Sequence, residues 1–568
     1  MERDRAASAV TDQGKGSFSR RSFIAGGALV SAAALAGWGI AGCSPTQNSG
    51  NGPEGSKASG EAGAAGSGGT PPSGGDVLYE LDPIGEPTET VQTDVVIIGG
   101  GGSGLSAAIQ ATQLGLKPLV LEKQGSPAGS YVCTEGILVL NNKYQAEVGI
   151  SYDIDECIAE QMEFQHWLVR PAQIRAYYEQ INETVDWMEE VGITFSTLLD
   201  MGKYKSRVLL WEHDPNSTMP GALVGAQLVA GAEKAGVEMM LQTPVKRILI
   251  EDGKAVGVLA EKPDGTVLKV EASAVISASG GVAGNFEMLE ALGGFVATPF
   301  DVGMPGRDGD GLRMGLDAGA KPWTFPGTAI ASGPLVMGSG WGSPAVVLCL
   351  NPLMWVNQDC ERFIREDLIN TNFAYLGNAA KMQKRLFVLF AQKDLDHFEN
   401  VGPYSRVFSL GYEGRPLTGI TEYLTQVKEN AGTVFSAGTL DELANLANLD
   451  AAKLKFNVEH YNSLCAGGSD TDFGKSSTYL NPLEEGPYYA LECADVLFGS
   501  LGSLSVTSSC ECLDGEYKPI PGLYAVGGDA GGLFADTYDA ELAPCSMAGW
   551  VINSGRLAAK AAAKYLNG

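Results

Sequence analysis

Residues 94–104 read Asp-Val-Val-Ile-Ile-Gly-Gly-Gly-Gly-Ser-Gly, and Glu122 stands at the end of the next apolar run, Pro118 to Leu121. Gly99, Gly101 and Gly104 have the G-x-G-x-x-G spacing. That spacing permits a tight turn, close backbone approach to a pyrophosphate and close packing of a helix on a strand. A helix opening near Ser103 turns its first amides and its positive dipole end toward phosphate. Glu122, with Lys123 beside it, is placed to accept hydrogen bonds from a ribose. The elements that must position these groups are all present. Asp94–Ile98 predicts a buried strand, LSAAIQATQLGL a helix, and Pro118–Leu121 a second strand. A dinucleotide is the expected ligand, and NAD and FAD both use such a unit.

The whole chain narrows the choice. Its 568 residues hold more than one domain, and a formal net charge of −28 argues against a nucleic-acid partner. Ser19-Arg20-Arg21-Ser22-Phe23-Ile24 precedes a small, apolar stretch ending Ile40-Ala41-Gly42-Cys43. This pattern predicts twin-arginine export over 1–43, with Cys43 resembling the lipidated cysteine of a lipobox. The Gly/Ser/Ala/Pro tract that follows predicts an unstructured linker over 44–90. Ten cysteines include no CxxC or CxxCH, so a resident haem has no motif; Cys510 and Cys512 are the only close pair.

Four more segments come after the glycine motif: AVISASGG from Ala274, RDGDGLRMGLDAGA from Arg307, IPGLYAVGGDAGG from Ile520, and a final helix, MAGWVINSGRLAAKAAAKYL. In this order the five resemble the FAD-binding segments of the fumarate reductase/succinate dehydrogenase flavoprotein superfamily. The likeness is to its soluble branch of flavocytochrome c fumarate reductases, urocanate reductases and 3-ketosteroid dehydrogenases, over roughly residues 90 to 568. The resemblance implies an α/β fold. A Rossmann-like FAD-binding domain would be built from both chain ends, 91–320 and 486–568, with an α+β capping domain inserted at 321–485. By that likeness Gly99, Gly101, Ser103, Gly104, Glu122 and Lys123 hold the ADP part, and Ser130 and Gly136 approach the pyrophosphate and flavin. Val245 gives a backbone contact to adenine, and Asp310 falls in the family's GDG. Gly528 stands where relatives often carry an acid, which leaves Asp529 as the cofactor contact there.

The same resemblance points to the catalytic region. VNQDCERFIREDLINTN matches the cap segment in which Arg362-Phe363 and Glu366 precede the proton donor. Fumarate and urocanate reductases have arginine at that donor position and ketosteroid dehydrogenases tyrosine; this chain has Asn370, whose amide cannot exchange protons usefully. Arg362 and Glu366 read as a bracing ion pair, and Arg365 and Asp367 as surface charges. The positions of the family's carboxylate-gripping histidines and arginine fall near Ile330, Phe498 and Leu542, which argues against a C4-dicarboxylate. Tyr538 is the first candidate for proton donor or carbonyl polariser, a core tyrosine being the alternative; Tyr375 is the second, and Asn370 a substrate hydrogen-bond donor. Trp323, Phe325, Trp341, Leu497 and Phe498 are candidate pocket residues.

The expected function is an exported, lipid-anchored FAD-dependent oxidoreductase acting on CH–CH groups. It would reduce the activated C=C bond of a neutral or aromatic substrate, with electrons from a separate cytochrome or flavoprotein. A 3-ketosteroid-type dehydrogenase and a non-catalytic electron-transfer flavoprotein are the alternatives.

Overall fold

Val95, Val96 and Ile97 are wholly buried and Ile98 nearly so, a run apolar on both faces that suits a central parallel strand. In the computed structural model it is the end of β1 (Glu89–Ile98), followed by α1 (Gly102–Gln113) and β2 (Pro118–Leu121), which pairs parallel with β1. The structure describes Leu78 and residues 80–568, except 202, 215–216, 218, 293–298, 302, 326–328, 340–342, 371 and 406–414. Cys43, most of the expected linker and Trp341 lie outside the described residues. No helix among the described residues is long and apolar enough to cross a membrane.

A small antiparallel sheet comes next, of β3 (Gly136–Leu138), β4 (Phe195–Met201) and β5 (Tyr204–Trp211), with α2 (Ile154–Phe164) and α3 (Pro171–Glu190) between its first two strands. Then β6 (Glu238–Met240) joins β2, and β7 (Val245–Glu251), β8 (Lys254–Glu261) and β9 (Val267–Ser277) form a meander. β9 lies parallel to β1 on its other side, Val95 opposite Ala274.

The capping region carries a six-stranded sheet of β10 (Pro299–Asp301), β11 (Ala329–Val336), β12 (Met354–Asn357), β13 (Leu386–Ala391), β14 (Val434–Ala437) and β15 (Tyr488–Ser500). β15 is its spine, parallel to β10 and antiparallel to β11, β13 and β14. Because β10 and β15 lie outside 321–485, the sheet is wider than the segment marked out from sequence. Two helices flank the junction of the two regions, α4 (Asp310–Asp317) on the FAD-binding side and α5 (Phe373–Lys381) in the cap.

The C-terminal part supplies β16 (Leu504–Ser505), β17 (Glu511–Leu513), β18 (Pro519–Ala525), β19 (Ala530–Gly531) and α6 (Ser546–Asn567). β18 pairs parallel with β9, so the main sheet runs β17-β18-β9-β1-β2-β6 and draws on both chain ends, as expected. α6 packs on α1 so tightly that a Cβ at Gly555 would overlap the Ser103 carbonyl oxygen.

Inside the cap, Arg362 forks onto Glu366 through two bonds of 2.8 Å and onto Asp470 through bonds of 2.9 and 3.2 Å. Lys475 stands 3.4 Å from Glu366 and donates to the Tyr461 hydroxyl at 3.0 Å. The guanidinium also lies between the rings of Tyr461 and Phe473. Arg362 and Glu366 are thus an internal ion pair. Arg365 and Asp367 pair with each other at 3.0 Å, the aspartate only 11% exposed, so they are less superficial than their charge suggested.

Candidate functional site

The glycine turn is dictated by contact. Gly99 has φ +104, and a Cβ there would lie 2.5 Å from the Ala278 carbonyl oxygen; one at Gly104 would overlap the Gly99 carbonyl oxygen. Gly101 differs, since a Cβ there meets nothing within 4 Å. It precedes the buried first turn of α1, which no side chain among the described residues caps. Buried amide donors facing open space match what a pyrophosphate needs. Glu122 is 8% exposed, and its two oxygens accept from the Gly100 and Gln124 amides at 2.6 Å each. A carboxylate has four lone-pair sites, so ribose hydroxyls can still be accepted. These residues fit a dinucleotide.

Other expected contacts have protein partners as well. Lys123 bridges to Asp308 at 2.8 Å and Asp310 at 2.6 Å; burial works against its charge, but the two carboxylates outweigh burial and raise its pKa. Ser130 Oγ accepts from the Met304 amide at 3.0 Å, Gly136 opens β3, and Val245 opens β7. Ser103 lies under α6 at the Gly555 crossing. Asp529 is wholly buried and accepts from Ser277 Oγ, the Ser279 amide and hydroxyl, and the Gly281 amide at 2.7–3.0 Å. Its carboxylate ties the end of β9 to the C-terminal glycine turn and the start of α4, where a Cβ at Gly311 would overlap it. Burial raises its pKa against those donors.

The second part of the site is the seam where α5 and β15 of the cap meet residues 534–545. Tyr375 stacks on Phe164, ring centroids 5.9 Å apart, and Asn378, one turn on, donates to Thr537 Oγ1. Burial, with Glu541 and Asp539 adding, raises the Tyr375 pKa. Tyr538 is 7% exposed, lies 5.5 Å from the Phe534 ring and engages Ser546 and Met547 at the start of α6. Its pKa is raised chiefly by burial, with Cys545 and Asp539 contributing. Asn370 ends a 3₁₀ turn from Glu366; its side chain lies outside the described ones. Trp323 donates to the Phe534 carbonyl at 3.1 Å, and Leu497 is wholly buried; Phe325 and Phe498 pack partly buried against the same core. Ile330 is placed by its backbone opposite Gly499.

Two buried arginines absent from the sequence expectations hold this seam. Arg307 donates to the Phe498 carbonyl at 2.7 Å, and burial lowers its pKa to about 10. Arg207 donates to the Leu542 carbonyl at 2.5 Å and to Cys157 Sγ at 3.0 Å, with Tyr204 and Tyr152 stacked against it. Each cation therefore spends one nitrogen on a backbone carbonyl, Arg307 at Phe498 and Arg207 at Leu542. Lys381, Asn378 and Asp495 were also missed. The available signal was a second carboxylate, Asp495, after Glu492 inside the largely apolar strand Ala490–Gly499.

Comparison with known proteins agrees with this arrangement. Residues 94–541 match the FAD binding domain family. Vinyl phenol reductase of Lactiplantibacillus plantarum is 29% identical over 488 residues, covering 83% of this chain and 96% of that protein. The cytochrome-type fumarate reductase of Shewanella frigidimarina is 28% identical, over 84% of this chain and 78% of its own. Among solved structures, 3-ketosteroid delta1-dehydrogenase of Sterolibacterium denitrificans has the same fold, with a TM-score of 0.66 at 19% identity, covering 83% of this chain and 99% of that one. With a fitted cradle, a capping sheet and a match across most of its length, the chain belongs to the FAD-binding domain family and is an FAD-dependent flavoprotein oxidoreductase.

Proposed function

We propose that this flavoprotein reduces the activated C=C bond of a neutral, flat or bulky substrate held in the seam between cap and FAD-binding domain. The observation that carries the reading is the pair of arginine–carbonyl bonds, Arg307 to Phe498 and Arg207 to Leu542. With one nitrogen of each guanidinium bound to a backbone carbonyl beside apolar side chains, the seam is poorer in bidentate partners for a dicarboxylate. The 29% identical vinyl phenol reductase supports a small unsaturated substrate.

Bound FAD supplies the hydride chemistry at its N5. The chain's own residues bind and orient the alkene, exclude water and deliver a proton. Tyr538 and Tyr375 suit hydrogen-bond donation to a polarising carbonyl or phenol. The ketosteroid-type dehydrogenase direction would need one of them as a base, and burial, the largest cause at each, raises both pKa values against loss of the proton. This favours reduction.

Electrons come from a separate cytochrome or flavoprotein in this reading. The Arg20-Arg21 signal and Cys43 support an exported, lipid-anchored location. A Cys43→Ser variant that stayed with the membrane fraction would argue against the anchor. The functional test is anaerobic reoxidation of the dithionite-reduced protein by a vinylphenol, a 3-keto-4-ene steroid, cinnamate and fumarate. The neutral compounds are expected to reoxidise the flavin fastest. Rapid reoxidation by fumarate, with none by the others, would overturn the proposal.

A further inference from the structure

Asp495 is 0% exposed, and among the described residues neither of its carboxylate oxygens has a hydrogen-bond partner. A buried carboxyl elsewhere in this protein, Asp529, is met by four donors. Asp495 lies on β15 opposite Pro334 of β11 and Pro299 of β10; proline brings no amide hydrogen and no charge to either register position. Asp301 follows Pro299 two residues on, opposite Leu497. The charged group acting on Asp495 is Lys381, at the last turn of α5, a helix that packs on β11 and β15. Lys381 also feels Asp536, whose side chain is exposed. Its ammonium donates to Asn378 Oδ1 at 3.3 Å, and Asn378 holds Thr537, so this helix face and the 536–541 loop are bound together.

These groups rise from solvent to the seam in one order: exposed Asp536, part-buried Lys381, fully buried Asp495. Two residues beyond Asp495, about 7 Å along a strand, Leu497 joins the core of the FAD-binding domain, and Phe498 and Ser500 bond to Arg307 and Val282. An unpaired carboxyl is costly to bury as an ion, whereas a protonated one is a donor.

We propose that Asp495 and Lys381 are the proton-delivery pair of the seam, with Asp536 as their link to solvent. The proposal rests on the reductive reading above. Reduction adds two electrons and two hydrogens across the double bond. Bound reduced flavin would supply the electron pair and one hydrogen as hydride; the other hydrogen is to be delivered as a proton at the second carbon. The Asp495 O–H bond breaks as that C–H bond forms. Lys381, which makes no direct hydrogen bond to the carboxylate among the described residues, then returns a proton to it through an intervening water and regains one from solvent by way of Asp536. Burial places Asp495 near neutrality, at about 7, where a carboxyl can exchange protons, and burial also lowers the Lys381 pKa.

Two measurements on the full-length holoprotein test this. Single-turnover reoxidation by 4-vinylphenol or a 3-keto-4-ene steroid should slow about a hundredfold or more in Asp495→Asn. Lys381→Met should slow it similarly, Asp495→Glu should recover a large part of the rate, and flavin absorbance should be retained in each. A rate within about threefold of wild type in Asp495→Asn would overturn the proposal. Independently of substrate, infrared difference spectra between about pH 6 and 8 should show a carboxylic-acid band that Asp495→Asn removes and Asp539→Asn does not. Absence of that band overturns the proton store even if turnover is normal. A wild-type protein that no alkene reoxidises would instead defeat the reductive reading, and with it the delivery role.

Discussion

The cap buries two sets of charges, and they are built in opposite ways. Around Arg362, the carboxylates Glu366 and Asp470 are met by a forked guanidinium, an ammonium and backbone amides, and two aromatic rings close over the top. Around Asp495, among the described residues, one ammonium and the neighbouring Val496 amide act on the carboxylate, without a full hydrogen bond to either oxygen. A saturated cluster has one stable protonation state and serves as a joint. An undersupplied carboxyl sits near the balance between its two forms, which suits a group that must gain and lose a proton.

The contrast makes measurable predictions. Arg362→Met leaves two carboxylates buried beside one lysine and should destabilise the protein by about 3–5 kcal/mol, read from its urea midpoint. Reoxidation per folded molecule should be unchanged, and a slowed rate would blur the division between joint and relay. The two aspartates should also respond to pH with opposite sign. Asp470 is buried, but Arg362 and the Lys475 amide outweigh burial and depress its pKa. Its contribution is therefore present above an unfolded pKa of about 4 and is lost as pH falls. Asp495 is raised to about 7 by burial. Its contribution is full below about pH 4 and is lost as pH rises to about 7, at up to about 1.4 kcal/mol per pH unit. Stability curves of Asp470→Asn and Asp495→Asn, each set against wild type, should slope in opposite directions. Parallel slopes would refute the contrast.

Smaller effects are expected at the seam and the rim. Tyr538→Phe should reduce turnover about tenfold, or about 1.4 kcal/mol, while the protonated-carboxyl band of Asp495 stays in place. Unaltered turnover would leave Tyr538 as a core residue. Arg365→Ala removes a part-exposed pair with Asp367 and should cost at most about 1 kcal/mol in thermal unfolding, with no change in rate.

The cradle was readable in the chain because its geometry is local. Three glycines within six residues, a strand on each side and one acid suffice to specify a phosphate turn, and the structure places them as one unit. Asp529 shows where local reading ends. Its position suggested a cofactor contact, and the fold adds protein partners that no local pattern shows, Ser277, Ser279 and Gly281 at and after the end of β9 some 250 residues earlier. Asn370 directed attention away from an arginine acid, yet its neighbours Arg362 and Glu366 resolve into a joint. Lys381 and Asp495 are more than a hundred residues apart, and neither stands in a motif.

Spacing and residue type along the chain therefore determine the βαβ cradle, since it depends on neighbours in sequence. Which acid can deliver a proton is settled by the folded molecule. A carboxyl's proton affinity depends on how many donors and how much water surround it, and those come from elements the chain brings together across its full length.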